Sequence, residues 1–294
     1  MSFHFYKKNS EFNHVLASKL INLDKECKSF NSKSLVSFIH ITLDEDSSIK
    51  NAEYISYSDK QELRVDFKDY EFHIDRGGNT GNIQKYFDLN NAYLDNSKVF
   101  NNMSNLFLRE FYLKSDYIIV DTSSYTFDDF VKKYSSDIFS KVTGIDNLEK
   151  SKEIQSNICS NDWEKFGKDY KSANRELKTV KYSDNFSLAD NFDNLKIKKE
   201  QVRIHLINNS GVEVWGNHFA KLLKNYGLNV VKIDNNSLPV NQTKVYVDNE
   251  NLLKGYSVQT IEDMLSENTA IEVNNNETIF SNITIEMGQD ILSK

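Results

Sequence analysis

A few residues in this chain have the type and spacing that chemistry would need. The stretch DRGGNTGN, residues 75–82, places glycines that could cradle a phosphate beside Arg76. It lacks the Lys-Ser/Thr of a P-loop and the GxGxxG spacing of a dinucleotide site, so a simple turn is favoured. Ser123 and Ser124 have no histidine that the sequence supports as a base, which weakens a nucleophile interpretation.

Two further groups could hold a metal, and both have a simpler interpretation. Asp44, Glu45 and Asp46 follow an apolar run, and a solvated loop is favoured over a metal site. Cys27 and Cys159 lie far apart without a CxxC or Cys/His pairing, so neither a zinc site nor a disulfide framework is indicated. We interpret both as small buried hydrophobes, and the sequence predicts no cofactor.

Composition limits the partners and the number of domains. The 294 residues carry a net charge of -7 and five arginines, so the chain has no broad basic surface for nucleic acid or an anionic membrane. Its length predicts about two domains. No stretch reaches the ~18 apolar residues of a spanning helix, and no signal peptide is visible. We expect a soluble chain, or equally the soluble part of an anchored membrane protein.

The first 145 residues alternate strands and helices. Helical spacing predicts a helix over 11–30, and the apolar run SLVSFIHITL predicts a buried strand over 34–43. Three more strands are expected between residues 52 and 74, then a helix over 99–113. The short apolar run DYIIVDTS predicts a buried strand, followed by a helix with Thr126 as N-cap and Asp129 in an acidic capping box. This order is typical of α/β proteins.

Residues 146–200 are predicted to be a helical and linker segment. The sequence there is polar, but its aromatic residues exclude a purely disordered linker. A helix over 162–177 is expected to pack on the first domain. Residues 181–200 are the predicted hinge.

Residues 201–294 give the clearest pattern. Strands are predicted at 202–208, 228–233, 243–248 and 278–286, and helices at 212–226 and 257–266. Gly227 stands where the C-cap of the first helix is expected. Ser210-Gly211 is predicted to form the turn before that helix. The βαββαβ order predicts a ferredoxin-like arrangement with one helical layer on four strands.

This C-terminal region resembles the LytR C-terminal domain found in many LytR-CpsA-Psr envelope proteins. That domain opens with a strand, an Asn-x-(Ser/Thr)-Gly turn, a helix ending in Gly and a hydrophobic strand, matched here by HLINNSG, HFAKLLKNYG and LNVVKID. It closes on a strand and Leu-Gly-x-Asp, matched by SNITIEMGQD with Met287 for Leu.

The first domain is similar, more faintly, to the catalytic domain of the same family. HIDRGGN, DLNNAYLDN and SDYIIVDTSSYTFDDFVKKY follow the order of three family motifs. The resemblance puts Arg76 on the family's arginine and Asn90, Ala92 and Tyr93 on its Asn-Ala-Tyr. It implies an α/β/α sandwich with a smaller C-terminal α/β domain.

The family moves a glycopolymer from a polyprenyl-pyrophosphate carrier to the cell wall, and several of its residues are missing here. Arginines that clamp the diphosphate and carboxylates that hold a divalent metal suit that reaction. Gly77 replaces the family's Asp, and the chain has no counterpart of the upstream Arg-Ser-Asp or the downstream Arg-x-Arg. The clamp is therefore expected to be dismantled. Arg76 is either a remnant of a ligand site or a surface arginine in an ordinary ion pair.

These observations predict three regions: a LytR-CpsA-Psr-like domain over 1–145, the segment 146–200, and a LytR C-terminal-type domain over 201–294. The leading hypothesis is an envelope-associated, non-catalytic or divergent protein that binds or scaffolds a cell-wall polymer or envelope protein. The alternative is an active phosphotransferase that uses Mg²⁺ and polyprenyl phosphate, with Arg76 assisted by Arg64 or Arg109. Weak candidate ligand residues are Arg76, Asn90 and Arg109. An extracytoplasmic location is expected if an anchor precedes the chain, and a cytoplasmic regulator otherwise.

Overall fold

A computed structural model of the chain consists of two compact units. The first unit comprises Met1–Leu106 and Ser115–Asp184, and the second comprises Phe107–Lys114 and Asn185–Lys294. Of the segment predicted to lie between two domains, 154–184 therefore falls in the first unit and 185–200 in the second. The structure describes residues 28–31, 35–44, 48–73, 80–93, 96–121, 154–156, 158–159, 162–171, 174–192, 195–236, 238–265, 269–274 and 280–292.

The first unit is built on a mixed six-stranded sheet. Its strands and helices are β1 Val36–Leu43, β2 Ile49–Tyr57, β3 Gln61–Asp66, β4 Phe72–His73, β5 Thr80–Gly81, α1 Ile83–Tyr93, α2 Asn96–Glu110, β6 Tyr117–Asp121, β7 Ile154–Ser156, α3 Trp163–Lys171 and β8 Glu176–Lys181. The strand order is β7-β6-β1-β2-β3-β8, while β4 and β5 form a separate ribbon. β1 pairs in parallel with β6 and β3 with β8, whereas β2 is antiparallel to both neighbours.

β1 forms the centre of this sheet because all eight of its residues are buried. An apolar, β-branched run is what a strand covered on both faces requires. On one face, Phe38 and Tyr57 pack against Phe166 and Tyr170 of α3, with ring centroids 5.3–6.3 Å apart. We call this face of the sheet the α3 face. Phe166 and Tyr170, which come from the segment 146–200, therefore pack against the six-stranded sheet.

Several sequence predictions for the first unit need correction. Residues 28–31 are not helical, and the rest of the helix predicted over 11–30 lies outside the described residues. α3 ends at Lys171 instead of 177, because residues 176–181 pair with β3 as strand β8. α1 was not predicted at all. The helix predicted from Thr126 lies outside the part of the chain that the structure describes.

The interpretation of Cys159 as a buried free thiol is wrong, because Cys159 forms a disulfide. Its backbone N–H donates to the carbonyl of Lys28 at 3.1 Å, beside a parallel bridge between Lys28 and Ile158. The other cysteine of the chain, Cys27, lies outside the described residues. The spacing of the cysteines did not indicate this bond, because only the fold brings the segment around Cys159 next to residue 28.

The second unit is built on a five-stranded sheet. Its elements are α4 Lys196–Glu200, β9 Arg203–Asn208, α5 Glu213–Asn225, β10 Asn229–Asn235, β11 Lys244–Val247, α6 Tyr256–Met264, β12 Ala270–Val273 and β13 Ile283–Met287, with short 3₁₀ helices at Ala189–Asn191, Glu250–Lys254 and Gln289–Leu292. The strand order is β10-β9-β13-β11-β12. The α/β class predicted from the sequence is confirmed in both units.

The ferredoxin-like arrangement predicted for this unit is wrong. In that fold the two strands of the first βαβ unit are separated by another strand. Here β9 and β10 are parallel neighbours joined through α5, and β13 pairs with β9 on its other side. The fifth strand, β12, was not predicted because its residues are mostly exposed and show no hydrophobic pattern.

Helix α5 ends as its sequence predicts. Gly227 has φ +86°, its N–H donates to the carbonyl of Lys224 at 2.9 Å, and the N–H of Leu228 donates to Leu223 at 3.1 Å. This pair of bonds is a Schellman motif, which needs a left-handed residue where glycine carries no steric cost. Among the helices that the structure describes, none is long and apolar enough to cross a membrane.

Candidate functional site

Polar and titratable side chains gather on the α3 face of the first unit. The strand register sets His40 opposite Glu53, and Glu53 opposite Asp66. It also sets Glu62 and Arg64 on the same face, since alternate residues of a strand point the same way. His40, Glu62 and Arg64 are all buried. Buried ionisable groups must be paired or have shifted pKa values, and such groups cluster at functional sites. The α3 face is therefore the candidate site of this unit.

Arg64 is held by two side chains of the same face. Its Nε lies 2.6 Å from Oε1 of Glu62, and its Nη2 lies 3.3 Å from the hydroxyl of Tyr170. That hydroxyl donates in turn to Oε2 of Glu62. The guanidinium, the carboxylate and the phenol hydroxyl form a closed ring of hydrogen bonds, in which the carboxylate neutralises the charge of the guanidinium. Such a ring joins β3 to α3 and pairs the charge of Arg64 with a carboxylate of the chain itself.

His40 and Glu53 form a second pair on the α3 face. Nδ1 of His40 lies 3.7 Å from Oε2 of Glu53, and the imidazole side chain is 1% exposed. Burial raises the pKa of the Glu53 carboxyl, but His40, Asn51 and Arg64 lower it by more, so its pKa lies below the usual range. Glu53 is therefore an anion at neutral pH. A general acid needs the opposite shift, which argues against that role for Glu53.

A third group closes the end of α3. Arg175 donates from Nε to the carbonyl of Ser58 at 2.6 Å and from Nη2 to the carbonyl of Asp169 at 3.1 Å. Its Nη1 donates to the carbonyl of Tyr170, and its guanidinium lies 4.3 Å from the ring centroid of Tyr57. The last carbonyls of a helix have no partners within the helix, and a cation there is favourable. Arg175 is therefore a helix cap.

Tyr57 supplies a testable consequence of this packing. Its hydroxyl donates to Oδ2 of Asp169 at 2.9 Å. Burial, followed by the charge and hydrogen bond of Asp169, raises the pKa of Tyr57 far above its usual value. The folded chain thus keeps a proton that the unfolded chain releases near pH ~10. The stability that results is complete below about pH 10 and is lost as the pH rises above it.

We expect Tyr57→Phe to flatten the alkaline pH dependence of stability. Between about pH 10 and about pH 12, the free energy of unfolding of the native chain should fall more steeply than that of the variant, by up to about 1.4 kcal/mol per pH unit. Urea unfolding at a series of pH values measures both slopes. Asp169→Asn removes the carboxylate charge but keeps the burial that raises the pKa of Tyr57 most, so its slope should stay closer to that of the native chain than to that of Tyr57→Phe. Parallel slopes for all three proteins would contradict the assignment.

The two motifs of the second unit meet at the carboxyl end of its parallel strands. Asn208 ends β9, and its side-chain amide donates to the carbonyl of Val212 at 3.0 Å and to Oδ1 of Asn235 at 2.9 Å. Its Oδ1 accepts from Oγ of Ser210 at 2.7 Å. Gly216 lets α5 approach, because a Cβ there would lie 3.1 Å from Cβ of Asn208. The Asn-x-Ser-Gly turn is thus held together by its first residue.

The closing motif is tied to the same edge by Asp290. Its Oδ1 accepts from the backbone N–H of Thr243 at 2.9 Å and from the hydroxyl of Thr243 at 2.6 Å. The same hydroxyl accepts from the N–H of Gly288 at 3.0 Å. Asn209 donates from its backbone to the carbonyl of Met287 at 3.0 Å, which joins the two motifs. These polar groups fasten loops to each other and offer no nucleophile or metal ligand set.

The candidate ligand residues from the sequence stay predictions. Arg76 lies outside the described residues, and Asn90 lies within α1, where only its backbone is described. Arg109 is exposed in the last turn of α2, with Nε 3.0 Å from Oε1 of Glu110. Throughout the described ranges, no three His, Cys, Asp or Glu side chains are grouped to hold a metal ion.

His40, Glu53 and Glu62 lie in no motif that the sequence offers. Period-two alternation did place Glu62 and Arg64 on one face of β3, but a polar face of a strand is normally solvated. Nothing local indicates that α3, about a hundred residues later in the chain, covers that face. A covering helix was predicted, but the sheet face that it would occupy was not.

Comparisons with known proteins give fold-level similarities to solved structures. No protein-family model matches the chain, and no curated protein does. Lin1025 from Listeria innocua is 11% identical, with 52% of this chain and 88% of Lin1025 covered and a TM-score of 0.33. TagT from B. subtilis is 11% identical, with 53% and 82% covered and a TM-score of 0.32.

A third similar structure is EF0465 from Enterococcus faecalis, described as a transcriptional regulator. It is 8% identical, with 71% of this chain and 91% of EF0465 covered and a TM-score of 0.32. At TM-scores of 0.32–0.33 these similarities carry no argument about the activity of this chain.

Proposed function

We propose that this chain is an envelope-associated protein of LytR-CpsA-Psr-like architecture that binds or scaffolds at the cell wall without catalysing phosphotransfer. The order of the three motifs in the first domain and the two matching ends of the second domain support the architecture. The loss of Asp at Gly77 and of the other arginine motifs supports the absence of catalysis. Because one fold can serve many activities, the residues missing from the motifs bear on catalysis more than the fold does.

The observation that carries this proposal is that three of the arginines that the structure describes, Arg64, Arg109 and Arg175, bind the chain's own acceptors. Arg64 is bonded to Glu62 and Tyr170, and Arg175 caps helix α3. Arg109 is paired with its neighbour Glu110. A diphosphate clamp needs several guanidinium groups that converge with free donors, because paired charged hydrogen bonds supply its affinity. Arg64, proposed as a helper of Arg76 in the transferase alternative, is already paired with the buried carboxylate of Glu62, which competes with a diphosphate for its guanidinium.

The disulfide of Cys159 supports an extracytoplasmic location. Disulfides persist in oxidising compartments and are rare in the cytosol, where thiols are kept reduced. This favours the envelope over a cytoplasmic regulator. A chain with net charge -7 is repelled by polyanionic polymers, so peptidoglycan or an envelope protein suits it better than a polyphosphate-backbone polymer.

Sedimentation with purified insoluble peptidoglycan tests the binding part of the proposal. We expect the chain to co-sediment saturably, and an acidic protein of similar size and charge to stay in the supernatant. A chain that remains in the supernatant at every peptidoglycan concentration would contradict binding to this polymer.

A transfer assay tests the catalytic alternative separately. The chain is incubated with a labelled saccharide on a polyprenyl diphosphate, peptidoglycan and Mg²⁺, and we expect no label on the peptidoglycan. Transfer that is lost in Arg76→Ala would establish the phosphotransferase and contradict our proposal. The two assays are independent, so failure of one does not decide the other.

A further inference from the structure

The second unit contains a pocket at the amino ends of its two parallel strands β9 and β10. The pocket has a volume of about 390 Å³, within the range of ~300–1,000 Å³ typical of small-molecule sites. Its walls come from three places: the α4–β9 junction, the α5–β10 junction and the start of α6. The lining residues that could contact a ligand through polar groups are Lys198, Gln201, Arg203, Asn229 and Ser257.

The backbone on two sides of this pocket is fixed in the left-handed conformation. Gln201 has φ +51° at the C-cap of α4, and Gly227 has φ +86° after α5. At Gly227 a Cβ would lie 3.3 Å from Cγ of Lys198, so the absence of a side chain lets the lysine stem lie close against the turn. The two turns therefore define where Lys198 and the α4–β9 junction sit.

The charge of the lining is opposite to that of the chain. Lys198 and Arg203 contribute two positive charges, and none of the lining residues is acidic, although the chain carries a net charge of -7. Nζ of Lys198 lies 3.5 Å from Oδ1 of Asp190, whose side chain is 78% exposed. An exposed ion pair of this kind is weak, so an anion in the pocket can compete for the ammonium.

A buried hydroxyl in the wall of the pocket lacks a partner among the residues that the structure describes. Ser257 is 1% exposed, and its Oγ makes no hydrogen bond to any of those residues. Its backbone N–H donates to Oε2 of Glu200 at 2.8 Å, so the residue is held in place from behind. Buried hydroxyls are nearly always satisfied, and one that is not calls for an explanation. A ligand oxygen in the pocket would give Ser257 the acceptor that it lacks.

From the volume, the two cations and this hydroxyl together, we propose that the pocket binds a small phosphate monoester. A phosphate monoester carries about two negative charges near neutral pH, enough to pair with Arg203 and to compete with Asp190 for Lys198, whereas a carboxylate carries only one. Guanidinium groups bind phosphate oxygens in paired hydrogen bonds, and lysine adds a point charge. The apolar remainder of the lining, Ile197, Val202 and Leu228, fits a compact organic group. This site does not depend on the proposed function.

Calorimetric titration of the full chain with glycerol 3-phosphate, at constant ionic strength, tests the proposal. We expect saturable binding that weakens at least about tenfold in Lys198→Gln and in Arg203→Gln, because each removes a charged hydrogen bond. Lys199→Gln is the matched control: it removes the same charge from the same helix, outside the lining, and should change the affinity less than about twofold.

Ser257→Ala separates a ligand role from a structural one. A purely structural hydroxyl would leave phosphate affinity unchanged when removed, whereas we expect weaker binding with an unchanged circular dichroism spectrum. The proposal is overturned if the native chain shows no saturable heat. It is equally overturned if Lys199→Gln weakens binding as much as Lys198→Gln, or if acetate binds as tightly as glycerol 3-phosphate.

Discussion

Gly288→Ala should lower the free energy of unfolding of the second unit by more than about 3 kcal/mol. A Cβ at this position would lie 2.7 Å from the carbonyl oxygen of Gln242 and 2.7 Å from the backbone nitrogen of Thr243. Both atoms belong to backbone, which cannot move aside as a flexible side chain can. Movement would also break the bonds that Thr243 makes with Asp290 and with the N–H of Gly288. Urea unfolding followed by circular dichroism measures the loss.

Gly211→Ala is the control that distinguishes this clash from ordinary loss of a glycine. Gly211 has φ +80°, so alanine there is strained by about 1–2 kcal/mol. Its Cβ would meet Cβ of Pro239 at 3.4 Å, which is an ordinary contact. We therefore expect Gly211→Ala to cost clearly less than Gly288→Ala. Equal losses would mean that steric exclusion at Gly288 is not what the closing motif requires.

The two glycines show what a motif in the sequence does and does not predict. The sequence places Gly211 in a turn and Gly288 after the last strand, from local pattern and family resemblance. The reason for Gly288 is a segment more than forty residues earlier, Gln242 and Thr243, and no local signal points to that contact. The glycine of the closing motif is therefore needed because the backbones of two distant segments come close together there.

Strand prediction worked where hydrophobicity was decisive. All eight residues of β1 are buried, and its apolar run predicts it almost to the residue. β12 is short and mostly exposed, so it produces no clear period. Ile83, Tyr86 and Phe87 of α1 do follow helical spacing, but the helix is short and lies next to a glycine-rich turn, so it was missed. The strand order of the second unit could not be predicted, because no local pattern shows that β13 pairs between β9 and β11.

The polar cluster of the α3 face was beyond prediction for a different reason. Alternation along β3 sets Leu63 and Val65 on one face and Glu62 and Arg64 on the other, and both faces are buried. A sequence rule assigns the polar set to solvent. The structure instead covers it with α3, where the hydroxyl of Tyr170 completes the hydrogen bonds. Burial of a charge thus depends on a partner that lies far away in the chain.

Arg64→Met should lower the free energy of unfolding of the first unit by about 3–5 kcal/mol. The substitution leaves Glu62, whose side chain is 7% exposed, as a buried carboxylate without its counter-charge. It also removes the guanidinium that bonds to the hydroxyl of Tyr170. An uncompensated buried charge costs more than the pair contributes, because desolvation is no longer offset. Urea unfolding of the native chain and the variant measures the loss.

The double variant Glu62→Met/Arg64→Met decides whether that cost comes from the orphaned charge. With both ions replaced by apolar side chains of similar length, stability should recover most of the loss, because a buried ion pair is often no better than a hydrophobic pair. Phe substituted for Tyr170 in the native background should cost about 1.5–3 kcal/mol, because the hydroxyl bonds to a carboxylate and to a guanidinium. A double variant as unstable as Arg64→Met would contradict this account and would make packing of the arginine stem the main contribution. Either result concerns stability alone, so binding to peptidoglycan should survive wherever the variant folds.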